Sequence, residues 1–171
     1  MAFAFMTPSL GYPAIASFVA TSGDYIAPVP YGTIVTATDP TYGAGEFIFL
    51  KGVADTAVGS VVTYNADDFS TTLAVANAIG PVAVAMSACV ADKAGWYQIQ
   101  GKGVAKVLSG FADNANCYLT ATAGSVDDTV VAGDYVFGMK GASAIGTPSA
   151  GLAEVELSRP FVKDGLDDAV T

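Results

Sequence analysis

The chain contains no histidine among its 171 residues. Histidine is the commonest general base at neutral pH and the commonest ligand for transition metals. Its absence excludes a Ser-His-Asp triad and leaves the many serines and threonines without an imidazole to activate them. An enzyme of this sequence would need Glu or Asp as its base. We predict that the protein is not an enzyme, has no catalytic residue and holds no cofactor.

Charge and cysteine are also scarce. Only 13% of the residues are charged, against a usual share of about 25%. With 7 basic and 16 acidic residues the net charge is −9, so the basic surface that binds nucleic acid is missing. Cys89 and Cys117 are the only cysteines, and each lies in an apolar strand pattern that indicates a small core residue. They do not make a zinc site, and we predict no bound metal, with a Cys89–Cys117 disulfide as the alternative to free thiols.

Two long runs lack charge, Met1 to Gly23 and Phe69 to Ala91. Their length alone is that of a membrane span. Pro8 and Pro13 interrupt the first run and Gly80-Pro81 interrupts the second, which disfavours a spanning helix in either. The first run also has no Lys or Arg near its start, unlike a signal peptide. We therefore predict no membrane partner.

The residues that are plentiful favour β-structure. The chain is 52% hydrophobic with 19 glycines, turn signals recur about every 8 to 15 residues, and no segment sustains a helical period. This predicts an all-β fold, a small β-barrel or β-sandwich, with a short helix around Leu108–Asp113 as the one helical alternative. We divide the chain into an extended apolar arm over residues 1–32, a β-domain over 33–160 and an acidic tail over 161–171.

The stretch Gly80–Val107 is predicted to be the centre of the β-domain. Alternation predicts a small-residue strand, a turn at Asp92–Gly95 and two further short strands. The turn precedes Trp96, the only tryptophan. Because large aromatic residues in β-proteins usually fill cores or subunit interfaces, we assign Trp96, Tyr97 and Ile99 to a core or trimer contact.

Three further patterns predict local structure. Phe47 and Phe49 alternate with Ile48 and Leu50, so both faces of this strand are expected to be covered. Gly101 and Gly103 are interpreted as bulge or turn glycines. The alternation of Leu152–Ser158 predicts an edge or half-exposed strand.

Two adjacent acid pairs, Asp67-Asp68 and Asp127-Asp128, are candidate calcium ligands. Neither lies in a loop with EF-hand spacing. Neighbouring carboxylates on a strand point apart, which also makes each pair a poor acid/base couple. We predict that both pairs belong to solvated turns.

The arm is apolar but has no regular periodicity. Its prolines exclude a long helix and a central strand. Two alternatives remain: the arm folds over its own core, or it lies on a neighbouring subunit or another protein. The candidate contact residues of the arm are its large apolar side chains: Phe3, Phe5, Met6, Leu10, Tyr12, Phe18 and Tyr25.

Four glycine-and-apolar segments carry a family resemblance: Gly45–Ala54, Gly59–Tyr64, Gly80–Ala85 and Gly95–Gly101. They are similar to segments of tailed-bacteriophage capsid decoration, or cement, proteins, and the resemblance covers roughly residues 43–108. It implies a β-tulip-like protein, often a homotrimer, at three-fold or quasi-three-fold positions of an icosahedral head. There it would clamp neighbouring major capsid subunits after expansion.

The functional expectation follows from that resemblance. It implies a virion structural protein, made in the host cytoplasm, that lies on the outer surface of the capsid. Its partners would be the major capsid protein and its own copies. The alternative is a carbohydrate-binding or adhesion module of a phage fibre or tail that uses Trp96, Tyr97 or other exposed aromatic residues.

Overall fold

The fold is all-β, as predicted. A computed structural model describes residues 3–6, 11–21 and 28–163, and it contains no helix within these ranges. The twelve strands are β1 (Ala4–Phe5), β2 (Phe18–Ala20), β3 (Ile34–Asp39), β4 (Gly43–Lys51), β5 (Val61–Tyr64), β6 (Thr71–Leu73), β7 (Gly80–Ala85), β8 (Lys93–Lys106), β9 (Asn116–Leu119), β10 (Val126–Asp127), β11 (Tyr135–Gly141) and β12 (Leu152–Val162). Residues 108–113, the helical alternative, form a loop with a turn.

Strand β8 is the centre of the antiparallel sheet. The strand order is β1-β3-β4-β8-β7-β12-β11-β9-β10. In addition, β2 pairs with β8, and β5 pairs with both β6 and β7. One edge of β8 pairs with β4, and its other edge pairs in succession with β2, β7 and β12. The prediction of a turn at Asp92–Gly95 and two short strands is wrong in its details. The turn ends at Asp92, and one 14-residue strand follows from Lys93, because partners on both edges hold it extended.

A β-bulge near Gly101 bends this long strand. The register against β4 shifts between Glu46 and Phe47, and Gly101 has φ +95°, where a Cβ would lie 2.5 Å from the carbonyl oxygen of Ala44. The buried Gln98 side chain closes the bend, since its Nε2 donates to the carbonyl oxygens of residues 100 and 102 at 3.1 and 3.0 Å. The extra residue lies between Gln98 and Gln100, so Gly101 adjoins the bulge with a positive φ, whereas the prediction is wrong for Gly103, which pairs regularly with Val155.

Strand β4 separates two hydrophobic clusters. Phe47 and Phe49 pack with Trp96 on one face, whereas Ile48 and Leu50 pack on the other. All four β4 side chains are buried, which confirms that this strand is covered on both faces. A third cluster lies among β5, β7, β8, β9, β11 and β12.

The described part of the arm covers the β4–β8 sheet. Strand β1 pairs with β3, and β2 pairs with the start of β8. Ile15 is 1% exposed, and the rings of Phe3 and Phe5 lie 4.9 Å from Phe47 and 5.8 Å from Trp96. These residues therefore follow the first of the two alternatives for the arm, because they pack over the core of their own chain.

Strand β12 lies inside the strand order. Its outward positions are partly exposed, as predicted, but the prediction of an edge position is wrong. Leu152–Ser158 pairs with β8, β11 lies on its other side, and Phe161 pairs with Pro81 of β7 after a kink at Arg159. An alternating pattern shows that one face of the strand is solvated. A strand inside a sheet can have such a face just as an edge strand can, so the pattern does not distinguish the two positions.

Candidate functional site

The residues that sequence reasoning assigned to a core or trimer contact lie in the core of one chain. Trp96 and Tyr97 are 0% exposed and Ile99 is 3% exposed. The Trp96 Nε1 donates to the carbonyl oxygen of Pro13 at 2.9 Å, and Phe49 lies 5.1 Å from the Trp96 ring. In this fold Trp96 and Tyr97 present no ring face on which a saccharide could stack.

The two thiols are sealed in separate clusters. Cys89 lies with Tyr97, and Cys117 lies in the cluster beneath β9 and β11; both are free. Burial raises the pKa of the Cys89 thiol to about 11 and that of Cys117 to about 12. Because a thiolate is the nucleophile and the metal ligand, neither thiol is reactive near neutral pH.

One aspartate of each acid pair holds a loop, whereas Asp127 lies in strand β10 with a buried Oδ1, so the prediction of a solvated turn is wrong for Asp127. Asp68 Oδ1 accepts hydrogen bonds from the Ser70 backbone N–H at 3.0 Å and the Ser70 hydroxyl at 2.7 Å, which lowers the pKa of Asp68. Asp128 Oδ2 accepts from the backbone N–H of Ala112 at 3.0 Å. Within residues 3–6, 11–21 and 28–163, no group of three or more Cys, Asp or Glu could hold a metal ion.

An aromatic row, defined as Tyr118, Tyr135, Phe137 and Phe161, crosses the outer face of β9, β11 and β12. Tyr135 lies opposite Tyr118, and Phe137 lies opposite Phe161, in the strand register. Successive ring centroids are 5.5, 4.7 and 5.0 Å apart. The Lys163 ammonium lies 5.5 Å from the centre of the Phe137 ring. Phe161 is 46% exposed, so the row ends in an accessible ring.

A polar row runs beside the aromatic row on the same face. Lys140 of β11 lies opposite Asn116 of β9 and Glu156 of β12, and we define these three residues as the polar row. A groove of about 380 Å³ lies here, lined by Asn116, Tyr135, Gly138, Met139, Lys140, Glu156, Leu157 and Ser158. Residues that carry an amide, an ammonium, a carboxylate and a hydroxyl thus line one groove together with a tyrosine.

Most of the exposed large apolar side chains form two groups at different ends of the strand order, and Phe18 and Val58 belong to neither group. The edge group is Met6 and Ile34, which are 59% and 46% exposed. The Met6 N–H donates to the carbonyl oxygen of Thr36, which places Met6 beside β3. The edge group therefore lies at the β1–β3 end of the sheet.

The end group lies near the β12-β11-β9 end. Its members are Val75, Ile79, Val130, Val131 and Phe161, of which Ile79 is 68% and Val130 75% exposed. The Asn77 N–H donates to Asp134 Oδ1 at 2.6 Å and joins two of the loops that carry these side chains. Gly80, next to Ile79, pairs with Val162, next to Phe161.

The predicted arm contacts have different environments. Phe3, Phe5 and Tyr12 are half-buried against the sheet, whereas Met6 and Phe18 are exposed, at 59% and 43%. Leu10 and Tyr25 lie outside the described residues.

Sequence reasoning missed the aromatic row and the end group. The spacing of Tyr135 and Phe137 does show that they share a face of one strand. Tyr118 and Phe161 join them only through pairing between strands that are far apart in the chain, a register that no local pattern in the sequence reveals.

No protein-family model, curated protein or solved structure matches the chain. Within the part of the chain that the structure describes, no helix has the length and apolar character needed to cross a membrane.

Proposed function

We propose that this protein is a structural component of a tailed-bacteriophage head, bound to the outer surface of the capsid. In this role it cross-links neighbouring major capsid subunits and stabilises the expanded head. The similarity of residues 43–108 to decoration proteins suggests the system. The observation that carries the proposal is the pair of exposed apolar groups at different ends of one continuous sheet.

A cross-linking protein needs two attachment surfaces on a body that transmits force between them. The edge group and the end group provide such surfaces, since clusters of exposed apolar side chains often mark interaction sites. Strands β3, β4, β8 and β12 connect the two groups through continuous backbone hydrogen bonding. This role needs no catalytic residue, and many copies on one head would add their weak contacts through avidity.

The attachment surfaces differ from those expected for the arm. Phe3, Phe5 and Tyr12 already pack against Phe47 and Trp96, so their burial contributes to the fold of the chain itself. Met6 remains the described arm residue with the most exposed large side chain. We assign capsid contact to Met6 and Ile34 at one end and to the end group at the other.

Lysine substitutions in each group test the proposal. Ile34→Lys introduces a charge in the edge group, and the double variant Ile79→Lys/Val130→Lys does so in the end group. Val58→Lys is the matched control, because Val58 is 44% exposed and belongs to neither group. Burial of one such apolar side chain contributes about 1.5–3 kcal/mol, so Ile34→Lys should bind about ten- to a hundredfold more weakly, and the double variant, which loses two such contacts, should bind more weakly still.

The assay is co-sedimentation with purified expanded heads, together with the temperature at which the heads release DNA. Wild type and Val58→Lys should bind saturably and raise that temperature, and both group variants should lose both effects. Absence of saturable binding by the wild type would refute the proposal. Equal weakening by Val58→Lys would refute the assignment of the two groups. Native mass spectrometry of the free protein tests the expected homotrimer separately.

A further inference from the structure

We propose that the groove between the aromatic row and the polar row binds a short neutral saccharide. The inference does not rest on the proposed role at the phage head. It rests on three features of the outer face of β9, β11 and β12: a floor without projecting side chains, an aromatic wall, and convergent polar groups that carry no net charge.

The floor lies beside irregular strand pairing, because residues 158–160 of β12 bulge opposite Phe137–Met139, and β11 itself is irregular against β9 between Tyr135 and Lys140. The register against β12 shifts between Phe137 and Met139, and Gly138 has φ +74°, where a Cβ would lie 2.6 Å from the carbonyl oxygen of Ser158. Met139 and Leu157 beneath the groove are 2% and 4% exposed. Gly138 therefore packs closely against the β12 backbone and lines the groove without contributing a side chain to it.

The walls match the two kinds of surface that a sugar presents. Tyr135 lines the groove, and its ring would offer an apolar surface for the C–H groups of a pyranose. Asn116, Lys140, Glu156 and Ser158 line the rest and provide both donors and acceptors for vicinal hydroxyls. Binding sites for small molecules commonly combine apolar walls with a few placed polar groups, and their volumes are about 300–1,000 Å³, a range that includes this groove.

Charge favours a neutral ligand over an acidic one. Lys140 and Glu156 lie directly opposite each other on β11 and β12, so their charges offset each other. The ion pairs recorded within the described ranges join Lys51 to Asp68, Lys102 to Glu154 and Arg159 to Glu46, and they involve neither residue of this pair. The ammonium and the carboxylate can therefore both bond to hydroxyl groups.

Titration of the full-length ¹⁵N-labelled protein tests the inference. The probes are glucose, galactose, mannose, N-acetylglucosamine and their disaccharides, with glucuronate as the acidic comparison. We expect saturable shifts at the amides of Gly138, Met139, Leu157 and Ser158 for at least one neutral sugar. A single shallow groove predicts a Kd on the order of 1 mM.

Ser158→Trp places a large side chain at the groove and should abolish these shifts. Thr72→Trp is its control, because Thr72 is also exposed on a strand but lies on β6, outside the groove. Circular dichroism establishes that each variant is folded. Should Ser158→Trp not fold, Lys140→Ala and Glu156→Gln replace it, and each should weaken binding about three- to tenfold through loss of a charged hydrogen bond.

Three results would overturn the inference. One is the absence of saturable shifts with every neutral sugar up to roughly 50 mM, well above the expected Kd. Another is retained binding by folded Ser158→Trp, or by both replacement variants, and the third is tighter binding of glucuronate than of the neutral sugars. The head-binding assay has a separate readout, so failure of either proposal leaves the other to be judged by its own experiment.

Discussion

Replacement of Ile15 by alanine tests whether the arm stabilises the chain that carries it. Ile15 is 1% exposed and belongs to the cluster of Phe47, Phe49 and Trp96. If the arm packs on its own core in solution, truncation of this side chain leaves a cavity beneath the arm. If the arm instead docks only on another protein, Ile15 is solvated in the free chain and the substitution has almost no effect.

The expected loss can be estimated from the packing around Ile15. Truncation of a buried Ile to Ala costs about 2–5 kcal/mol from lost burial and the residual cavity. The upper part of this range requires the arm to stay attached. If the arm detached locally, the loss could not exceed the free energy that holds the arm on the sheet. That free energy includes the Trp96–Pro13 hydrogen bond, which contributes about 1 kcal/mol. We expect a decrease of about 2–4 kcal/mol in the free energy of unfolding, or about 4–16 °C in Tm for a chain of this size.

Urea unfolding followed by tryptophan fluorescence and circular dichroism measures this loss. Trp96 is the only tryptophan, so its emission reports directly on the cover that the arm provides. Met6→Ala is the matched control, since Met6 is 59% exposed in the same arm and should change stability by no more than about 0.5 kcal/mol. Detachment of the arm would appear as a red-shifted emission of Ile15→Ala before urea is added.

Two results would refute this reasoning. A loss below about 0.5 kcal/mol with unchanged emission would mean that Ile15 is not buried in the free protein. A loss that changes with protein concentration would mean that the substitution alters association between copies, which would place Ile15 at a contact between chains instead of within one chain.

The remaining predictions concern pH and one close backbone contact. Because burial raises the pKa of Cys89 and Cys117 from 9.0 to about 11 and about 12, their contribution to stability is complete below pH 9 and is lost as pH rises through these folded-state values. The urea midpoint should therefore fall as pH rises from about 9 to about 11, and less in Cys89→Ala than in wild type; equal slopes would contradict the assignment. Gly52→Ala should destabilise the fold by about 1–3 kcal/mol or more, because a Cβ there would overlap the carbonyl oxygens of Cys89 and Val90. Gly11→Ala is its comparison in urea unfolding, with a Cβ that meets nothing within 4 Å among the described residues and a cost of only about 1 kcal/mol from its positive φ; equal losses would show that steric overlap is not the cause.

Local patterns predicted the strands well where one segment contains the whole signal. Phe47 to Leu50 alternate, and the pleat alone sends them to opposite faces, so their burial in two clusters could be anticipated. Gly101 was expected at a bulge for a similar reason, since a residue without Cβ tolerates the backbone conformation that a bulge requires. The all-β class followed from many such signals and from the lack of a helical period.

Long-range pairing decided what the local patterns could not. The sequence suggested a break near Gly95, but pairing of β8 with β4 and β2 keeps the backbone extended through that residue. The edge appearance of Leu152–Ser158 had the same origin, because alternation shows that one face is solvated and does not show which strands lie alongside.

For the candidate site, composition alone accounts for the lack of imidazole chemistry and for the apolar character of the arm. The chain contains no histidine, whatever the fold. Only the tertiary structure decided that Trp96 is covered by the arm, and that Tyr118, Tyr135, Phe137 and Phe161 form one row. The physical reason is that residue types and their spacing are properties of the chain, whereas a shared surface depends on the register between strands that are distant in sequence.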